Sequence, residues 1–355
     1  MPTALTSLTR FGRLLATPLV PAAYLELLDP LLGPGCRGRI SNIRREDART
    51  VSLDITANGA WQGARAGQYV RLGVDIDGVR QWRCYSVTRT DSGLRQSFSV
   101  TVRAIDGGRV STYLNSQARV GDVLTLDQAA GDFVLPEGEL PKLLFITAGS
   151  GITPVMGMLR SLAAAQRQAD VVHLHYSPDA ASDLFATERQ GLALAHGWRN
   201  HSLLTRQHQA GHFSAAQLDK LCPDWRDRLA YTCGPAVLID AVTAHWQQAD
   251  RAAQLKRESF RPLRATAQPG AGGEVRFWHS ERLAEAAGDK PLLEVAESAG
   301  LLPKHGCRMG ICQGCLASIK EGQVRDLASG EVFGEPGDKV RICVCAAAGN
   351  LTLDL

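Results

Sequence analysis

Near the C-terminus, Cys307-Arg-Met-Gly-Ile-Cys312-Gln-Gly-Cys315 spaces three thiols as C-x4-C-x2-C, and Cys343-Val-Cys345 adds further thiols downstream. Three thiolates in one loop with a distant fourth are a ligand pattern for a [2Fe–2S] cluster, a one-electron carrier. Gly306, Gly310 and Gly314 let that loop curl so that its N–H groups approach the cluster sulfurs. A structural zinc calls for two close pairs of ligands, which this spacing does not offer. On spacing alone, Cys343 and Cys345 compete for the fourth position. A second stretch able to do chemistry is Gly149-Ser-Gly151-Ile-Thr153-Pro154, which succeeds the apolar run Leu143-Leu-Phe-Ile-Thr-Ala. Its glycines let a dinucleotide pyrophosphate sit at a helix N-terminus, where the dipole favours negative charge, and Pro154 suits the first helical turn.

These stretches need scaffolds of different kinds. At 355 residues the chain exceeds what one hydrophobic core serves, so a multidomain protein is expected. Residues 1–35 carry Leu5, Leu8, Phe11, Leu14 and Leu15 at helical spacing and then an apolar, Pro-punctuated stretch, an arm expected to pack on the neighbouring β domain. Residues 36–138 switch to short alternating runs such as Val51-Ser-Leu-Asp-Ile-Thr and Phe98-Ser-Val-Thr-Val-Arg between Gly and Asp turns, the pattern of a small β-barrel. Residues 139–262 alternate apolar strands, at Leu143, Val171, His201 and Leu229, with helical stretches, which predicts an α/β domain with an open parallel sheet. Residues 263–273 read as a linker from their Ala, Gln, Pro and Gly content, and residues 274–355 hold the cluster loop. Of nine cysteines, five crowd into the last fifty residues and the rest are scattered, which is no disulfide framework and indicates a reducing compartment. With no secretory signal and no run of eighteen apolar residues, a cytoplasmic location is expected. A net charge of +3 with both signs interspersed excludes the basic field that nucleic-acid binding needs, and the nine histidines show no metal-ligand spacing.

Shorter motifs fit these scaffolds. Arg83-Cys-Tyr85-Ser86 resembles the R-x-Y-S/T signature of the ferredoxin–NADP reductase superfamily, and Gly67-Gln-Tyr69 and Gly131-Asp-Phe133 resemble its strand start and barrel closure. The resemblance implies a flavin, with Arg83 on a phosphate, the Tyr85 ring against the isoalloxazine and the Ser86 hydroxyl near flavin N5. Gly107-Gly108-Arg-Val-Ser111-Thr112 is similar to the family's G-x-x-S/T segment, which binds a pyrophosphate and so implies FAD rather than FMN. Phe133 is either a cover for the adenine or core. G-x-G-x-T-P at Gly149, Gly151, Thr153 and Pro154 is the family's nicotinamide form, and Thr232-Cys233-Gly234-Pro235 matches its C-G-P turn. There Cys233 is implied to position the nicotinamide against the flavin, ahead of a nucleophilic or merely buried thiol. Lys256-Arg-Glu258-Ser-Phe260 resembles the last strand, with Ser259 where the family has Arg. Plant-type ferredoxins, with a Val and a small residue after their last ligand, favour Cys343 over Cys345, and Glu274-Val-Arg-Phe and Leu292-Leu-Glu-Val-Ala resemble the first strand and helix of that α+β, β-grasp module.

The order barrel, parallel sheet, ferredoxin is similar to bacterial reductases that feed oxygenases, hydroxylases and acyl-CoA desaturases. Through Ala16-Thr-Pro18-Leu-Val-Pro21, Tyr24-Leu-Glu-Leu, Gly149-Ser-Gly-Ile-Thr-Pro-Val-Met-Gly-Met-Leu and Gly306-Cys-Arg-Met-Gly-Ile-Cys it resembles the desaturase-linked group most. The resemblance implies catalytic roles for Tyr85, Ser86 and Cys233, and a cluster on Cys307, Cys312, Cys315 and Cys343. Electrons then run from a nicotinamide through FAD to the cluster and on to a one-electron acceptor protein, a membrane fatty acyl-CoA desaturase. The competing readings are the reductase of a Rieske or di-iron oxygenase, and a non-enzymatic redox sensor. Ser177 and Thr205-Arg206 are candidates for a 2′-phosphate, with no Asp or Glu closing the second strand, so NADPH is expected ahead of NADH. Arg10 and Arg13 before the apolar arm suggest at most a peripheral contact at the inner face of the membrane.

Overall fold

The computed structural model describes residues 29–33, 35–90, 96–206, 211–260, 270–305, 310, 314–327 and 329–355. Most of the arm, most of the expected linker, and Cys307 and Cys312 lie outside them. The chain forms two compact units: the described residues up to 145 together with 152–211, and residues 146–151 together with 212–355.

The first unit contains a closed barrel. Its strands β1 (Arg37–Asp47), β2 (Thr50–Ala57), β3 (Tyr69–Ile76), β4 (Val79–Thr90), β5 (Ser97–Arg103) and β6 (Val123–Leu126) close in the order β1-β2-β5-β4-β3-β6. β-branched residues suit this pleated surface, and Ile40, Val51, Ile55, Val70, Val87, Val100 and Val102 fill the interior. The outer faces of β2 and β5 are covered as well, and the hydroxyls there pair: Ser52 Oγ lies 2.8 Å from Thr101 Oγ1, its partner across the ladder. Helix α1 (Arg109–Ser116) sits between β5 and β6. The end of the N-terminal arm is tied to the barrel, because Arg37 Nη1 donates to Pro30 O and Asn58 Nδ2 donates to Leu31 O.

A five-stranded parallel sheet comes next, in the order β11 (Leu255–Glu258), β10 (Leu229–Cys233), β7 (Leu143–Ala148), β8 (Val171–Ser177), β9 (Arg199–Leu204). Its helices are α2 (Ile152–Ala164), α3 (Ala186–His196), α4 (Ala215–Leu221) and α5 (Ala236–Gln248). Every residue of β8 is buried, as expected of a strand covered on both faces. Helix α2 lies directly on β4 of the barrel: a Cβ on Gly157 would sit 2.4 Å from Val87 O. Arg160, one turn on, donates to Thr88 O at 2.8 Å and forks onto Glu188 of α3 at 2.8 and 2.6 Å. That bidentate pair clamps α2 between the barrel and α3.

The C-terminal module is a mixed sheet, ordered β13 (Arg282–Gly288), β12 (Gly270–Phe277), β19 (Leu351–Leu353), β14 (Leu316–Glu321), β17 (Lys339–Arg341). Helix α6 (Leu292–Ser298) packs Leu292, Leu293 and Val295 onto Val275, Phe277, Ile319 and Leu351. A small second sheet joins β16 (Val332–Phe333), β15 (Val324–Asp326) and β18 (Cys345–Ala347). Residues 270–273, which composition places in a linker, are instead the start of β12. The strand is glycine-rich because its backbone is crowded: a Cβ on Gly273 would lie 2.3 Å from the Gly349 carbonyl carbon.

The α2–β4 contact is tested by one substitution at two sites. Gly157→Ala is expected to destabilise the protein by about 1–3 kcal/mol through overpacking. Gly191→Ala on α3, where an added Cβ meets nothing, is expected to stabilise it by about 0.5–1 kcal/mol through helix propensity. Urea unfolding of both variants reads the difference in sign.

Candidate functional site

Strand β4 carries the first group of residues that the motifs single out. Arg83, Tyr85 and Ser86 pair across the ladder with Leu72, Val70 and Tyr69 of β3, so the register that closes the barrel also sets their positions. Arg83 Nη1 donates to Trp82 O at 2.7 Å, and burial pushes the Tyr85 phenol well above its ordinary range. Ser86 is buried and its Oγ has no hydrogen-bond partner. A buried hydroxyl left in that state costs free energy, and an acceptor or donor on a bound ring system would relieve it. Gly108 caps α1 without a side-chain bond, so the first-turn N–H groups of α1 have no intrahelical partner and suit a phosphate. Ser111 Oγ donates to Gly108 O at 3.2 Å, closing the loop from within, while Thr112 stands exposed at the same turn. Phe133 is buried, 5% exposed, which makes it a core residue here.

The second group gathers at the C-terminal edge of β7 and β10. Gly149 adopts φ +52°, and a Cβ on Gly151 would lie 2.3 Å from Cys233 O and 2.6 Å from Gly234 N. Only glycine lets the loop after β7 rest on the C-G-P turn. Thr153 and Pro154 are buried in the first turn of α2, and Pro235 caps α5. Cys233 is fully buried and stands in register with Glu258 of β11. Burial, reinforced by Glu258, pushes the Cys233 thiol well above its ordinary range, so it is no ready nucleophile. Burial likewise pushes Glu258 up to about 8, and its Oε2 has no hydrogen-bond partner. This proton-holding carboxyl stands at the acidic position of the last-strand motif, Glu258-Ser-Phe260, to which the sequence alone assigns no role. The signal for it is an acidic residue closing a short strand beside the C-G-P turn.

At the ends of β8 and β9 the outcome is mixed. Ser177 is 1% exposed, and its Oγ, like that of Ser86, is buried without a hydrogen-bond partner. The cause is the double cover over β8. Arg206 is exposed and held by its N–H on Pro178 O, while Thr205 N donates to Ser177 O. Asp179 lies nearby, but its Oδ1 accepts from Ser182 N at 3.0 Å and from Ser182 Oγ at 2.8 Å, bonds that hold it below the usual carboxylate range.

In the C-terminal module Cys315 and Cys343 are both 2% exposed. Gly310 N donates to Cys343 Sγ at 3.3 Å, the backbone-to-sulfur bond that a cluster loop makes. Cys345 is buried opposite Asp326, and burial together with that carboxylate pushes its thiol up to about 12. The donor set and the backbone bond fit a cluster on this loop.

Comparison with known proteins finds three domain families along the chain. Residues 41–135 match an oxidoreductase FAD-binding domain, residues 145–244 an oxidoreductase NAD-binding domain, and residues 279–348 a 2Fe-2S iron-sulfur cluster binding domain. The chain is 39% identical over 355 residues to an NADPH oxidoreductase of Mycobacterium tuberculosis, covering 98% of this chain and 92% of that protein. It is 25% identical over 321 residues to a glycine betaine monooxygenase reductase subunit of Pseudomonas aeruginosa, covering 82% and 87%. Its fold is that of phthalate dioxygenase reductase, with TM-score 0.60 at 22% identity over 90% of this chain and 97% of that one. The cofactors are FAD, a pyridine nucleotide and a [2Fe–2S] cluster.

The Glu258 assignment predicts a pH signature. A carboxyl whose pKa rises on folding adds stability that is complete below its unfolded value and is lost as pH climbs toward about 8. Between pH 5 and 8 the stability of Glu258→Gln, measured by urea unfolding, is expected to fall less than that of the wild type; parallel curves would place the Glu258 titration elsewhere.

Proposed function

We propose that this chain, which belongs to the ferredoxin–NADP reductase-type flavoproteins with a C-terminal [2Fe–2S] ferredoxin domain, takes its electrons from NADPH and delivers them to a membrane acyl-CoA desaturase. It is an NAD(P)H-dependent oxidoreductase. The chemistry supplied by the bound cofactors is hydride acceptance at FAD and one-electron carriage at the cluster.

The chain's own residues do the rest. Arg83 and the open first turn of α1, with Gly108, Ser111 and Thr112, hold the FAD phosphates, while Tyr85 and the unpartnered Ser86 hydroxyl orient the ring. The Gly149–Pro154 turn receives the nicotinamide pyrophosphate at the start of α2. Gly234 and Pro235 face the nicotinamide beside the neutral, fully buried Cys233 thiol, and Glu258 keeps a proton at its carboxyl. Cys307, Cys312, Cys315 and Cys343 are the cluster ligands.

The preference for NADPH is carried by one observation. Arg206 is exposed at the end of β9, and the nearby carboxylate, Asp179, is engaged with Ser182 instead of being free to accept a ribose diol. The Mycobacterium tuberculosis relative, an NADPH oxidoreductase, supports the same choice. The desaturase reading rests on the sequence resemblance, whose N-terminal portion lies outside the described residues. The Pseudomonas relative favours a second reading, the reductase component of an oxygenase. Among the described residues no helix is long and apolar enough to cross a membrane.

Arg206→Ala is expected to raise KM for NADPH at least tenfold while leaving KM for NADH within about twofold, equivalent to the loss of about 1.4 kcal/mol for one charge-assisted contact. Equal effects on both nucleotides would remove Arg206 from the phosphate site. Reconstitution with a membrane acyl-CoA desaturase is expected to support NADPH-dependent desaturation; turnover only with an oxygenase would establish the second reading.

A further inference from the structure

We infer that Arg341 is a positioning residue for the iron–sulfur cluster, fixing Gly310 so that its N–H stays on Cys343 Sγ and thereby raising the cluster's reduction potential. This rests on Cys343 being a ligand. Arg341 ends β17, where it pairs with Leu316, the residue after Cys315. Its backbone is anchored on both sides of the turn into Cys343. Ile342 N donates to Cys315 O at 3.2 Å, and Val344 N donates to Arg341 O at 3.0 Å. From this fixed base Nη1 donates to Gly310 O at 2.7 Å.

Gly310 is therefore held from three directions. Arg341 takes its carbonyl, Cys343 Sγ takes its N–H, and a Cβ at this position would meet Val344 Cγ2 at 2.9 Å. With φ at +75° the residue has to be glycine, and glycine alone would leave the loop free to turn its N–H away. The guanidinium removes that freedom. An N–H on a ligand sulfur, like a nearby cation, interacts more strongly when the cluster holds the extra negative charge, so both favour the reduced form. The reduction itself adds one electron from the reduced FAD of this chain and requires no proton at Arg341.

The test uses the full-length protein with Arg341→Ala, Arg341→Gln and Arg341→Lys, reading iron content, cluster reduction potential and the EPR g-values of the reduced cluster. Arg341→Ala is expected to shift the potential negative by at least a tenfold change in the reduced-to-oxidised ratio at fixed poise, about 59 mV for one electron, with altered g-values. Arg341→Lys, which keeps a charged donor, is expected to recover most of the shift, and Arg341→Gln, a neutral donor, to lie between. If Arg341→Ala loses its iron, Gln against Lys decides by the same ordering. Wild-type potential and g-values in iron-replete Arg341→Ala or Arg341→Gln would overturn the inference while leaving the cluster assignment standing. A Cys343→Ser protein that keeps the wild-type spectrum would instead overturn the ligand assignment on which the inference depends.

Discussion

The nicotinamide end of this protein depends on one contact between two stretches of backbone. The turn after β7 rests on the turn after β10 so closely that a single added methyl at Gly151 would lie 2.3 Å from Cys233 O. Strand ends on a parallel sheet are where such folds bind their ligands, and here two of those ends are fixed to each other. The contact places Cys233 at the edge of the sheet, and the parallel register of β10 with β11 then places Glu258 beside it. Loosening it would release the loop glycines, the thiol and the carboxyl together.

Charge is distributed to match. Cations and open helix turns stand at the proposed phosphate sites, Arg83, α1, α2 and Arg206, while burial favours the neutral forms of Cys233 and Glu258. At the cluster the requirement changes, because the carrier gains a full negative charge. In the proposed arrangement the Gly310 N–H on Cys343 Sγ and the Arg341 guanidinium on Gly310 O would meet it. Each module thus solves a separate electrostatic problem, and the covalent chain keeps the three in a fixed order.

Much of this was legible because the relevant residues sit in short, contiguous motifs. C-x4-C-x2-C, R-x-Y-S and G-x-G-x-T-P are local in sequence, and the R-x-Y-S strand and the G-x-G-x-T-P turn are local in space as well. The barrel and the parallel sheet emerge from periodicity, which changes where one gives way to the other, whereas the C-terminal module is read from resemblance to plant-type ferredoxins. What stayed hidden depends on neighbours far along the chain. The sequence does not show that both faces of β8 are covered, which buries Ser177, or that β11 pairs with β10, which sets Glu258 in register with Cys233. Residues 270–273 read as a linker because glycine content signals flexibility in isolation, whereas here it permits backbone crowding. Arg341 carries no motif, and its role depends on a carbonyl thirty-one residues away.

The central claim is that electrons entering from the nicotinamide pass through the flavin to the cluster within this one chain. Anaerobic rapid mixing of the purified protein with NADPH, monitored by flavin absorbance and freeze-quench EPR, tests it most directly. Flavin bleaching is expected first, and the EPR signal of a reduced [2Fe–2S] cluster is then expected to grow at a rate independent of protein concentration. A fully reduced flavin beside a cluster that stays oxidised, or cluster reduction whose rate rises with protein concentration, would contradict it.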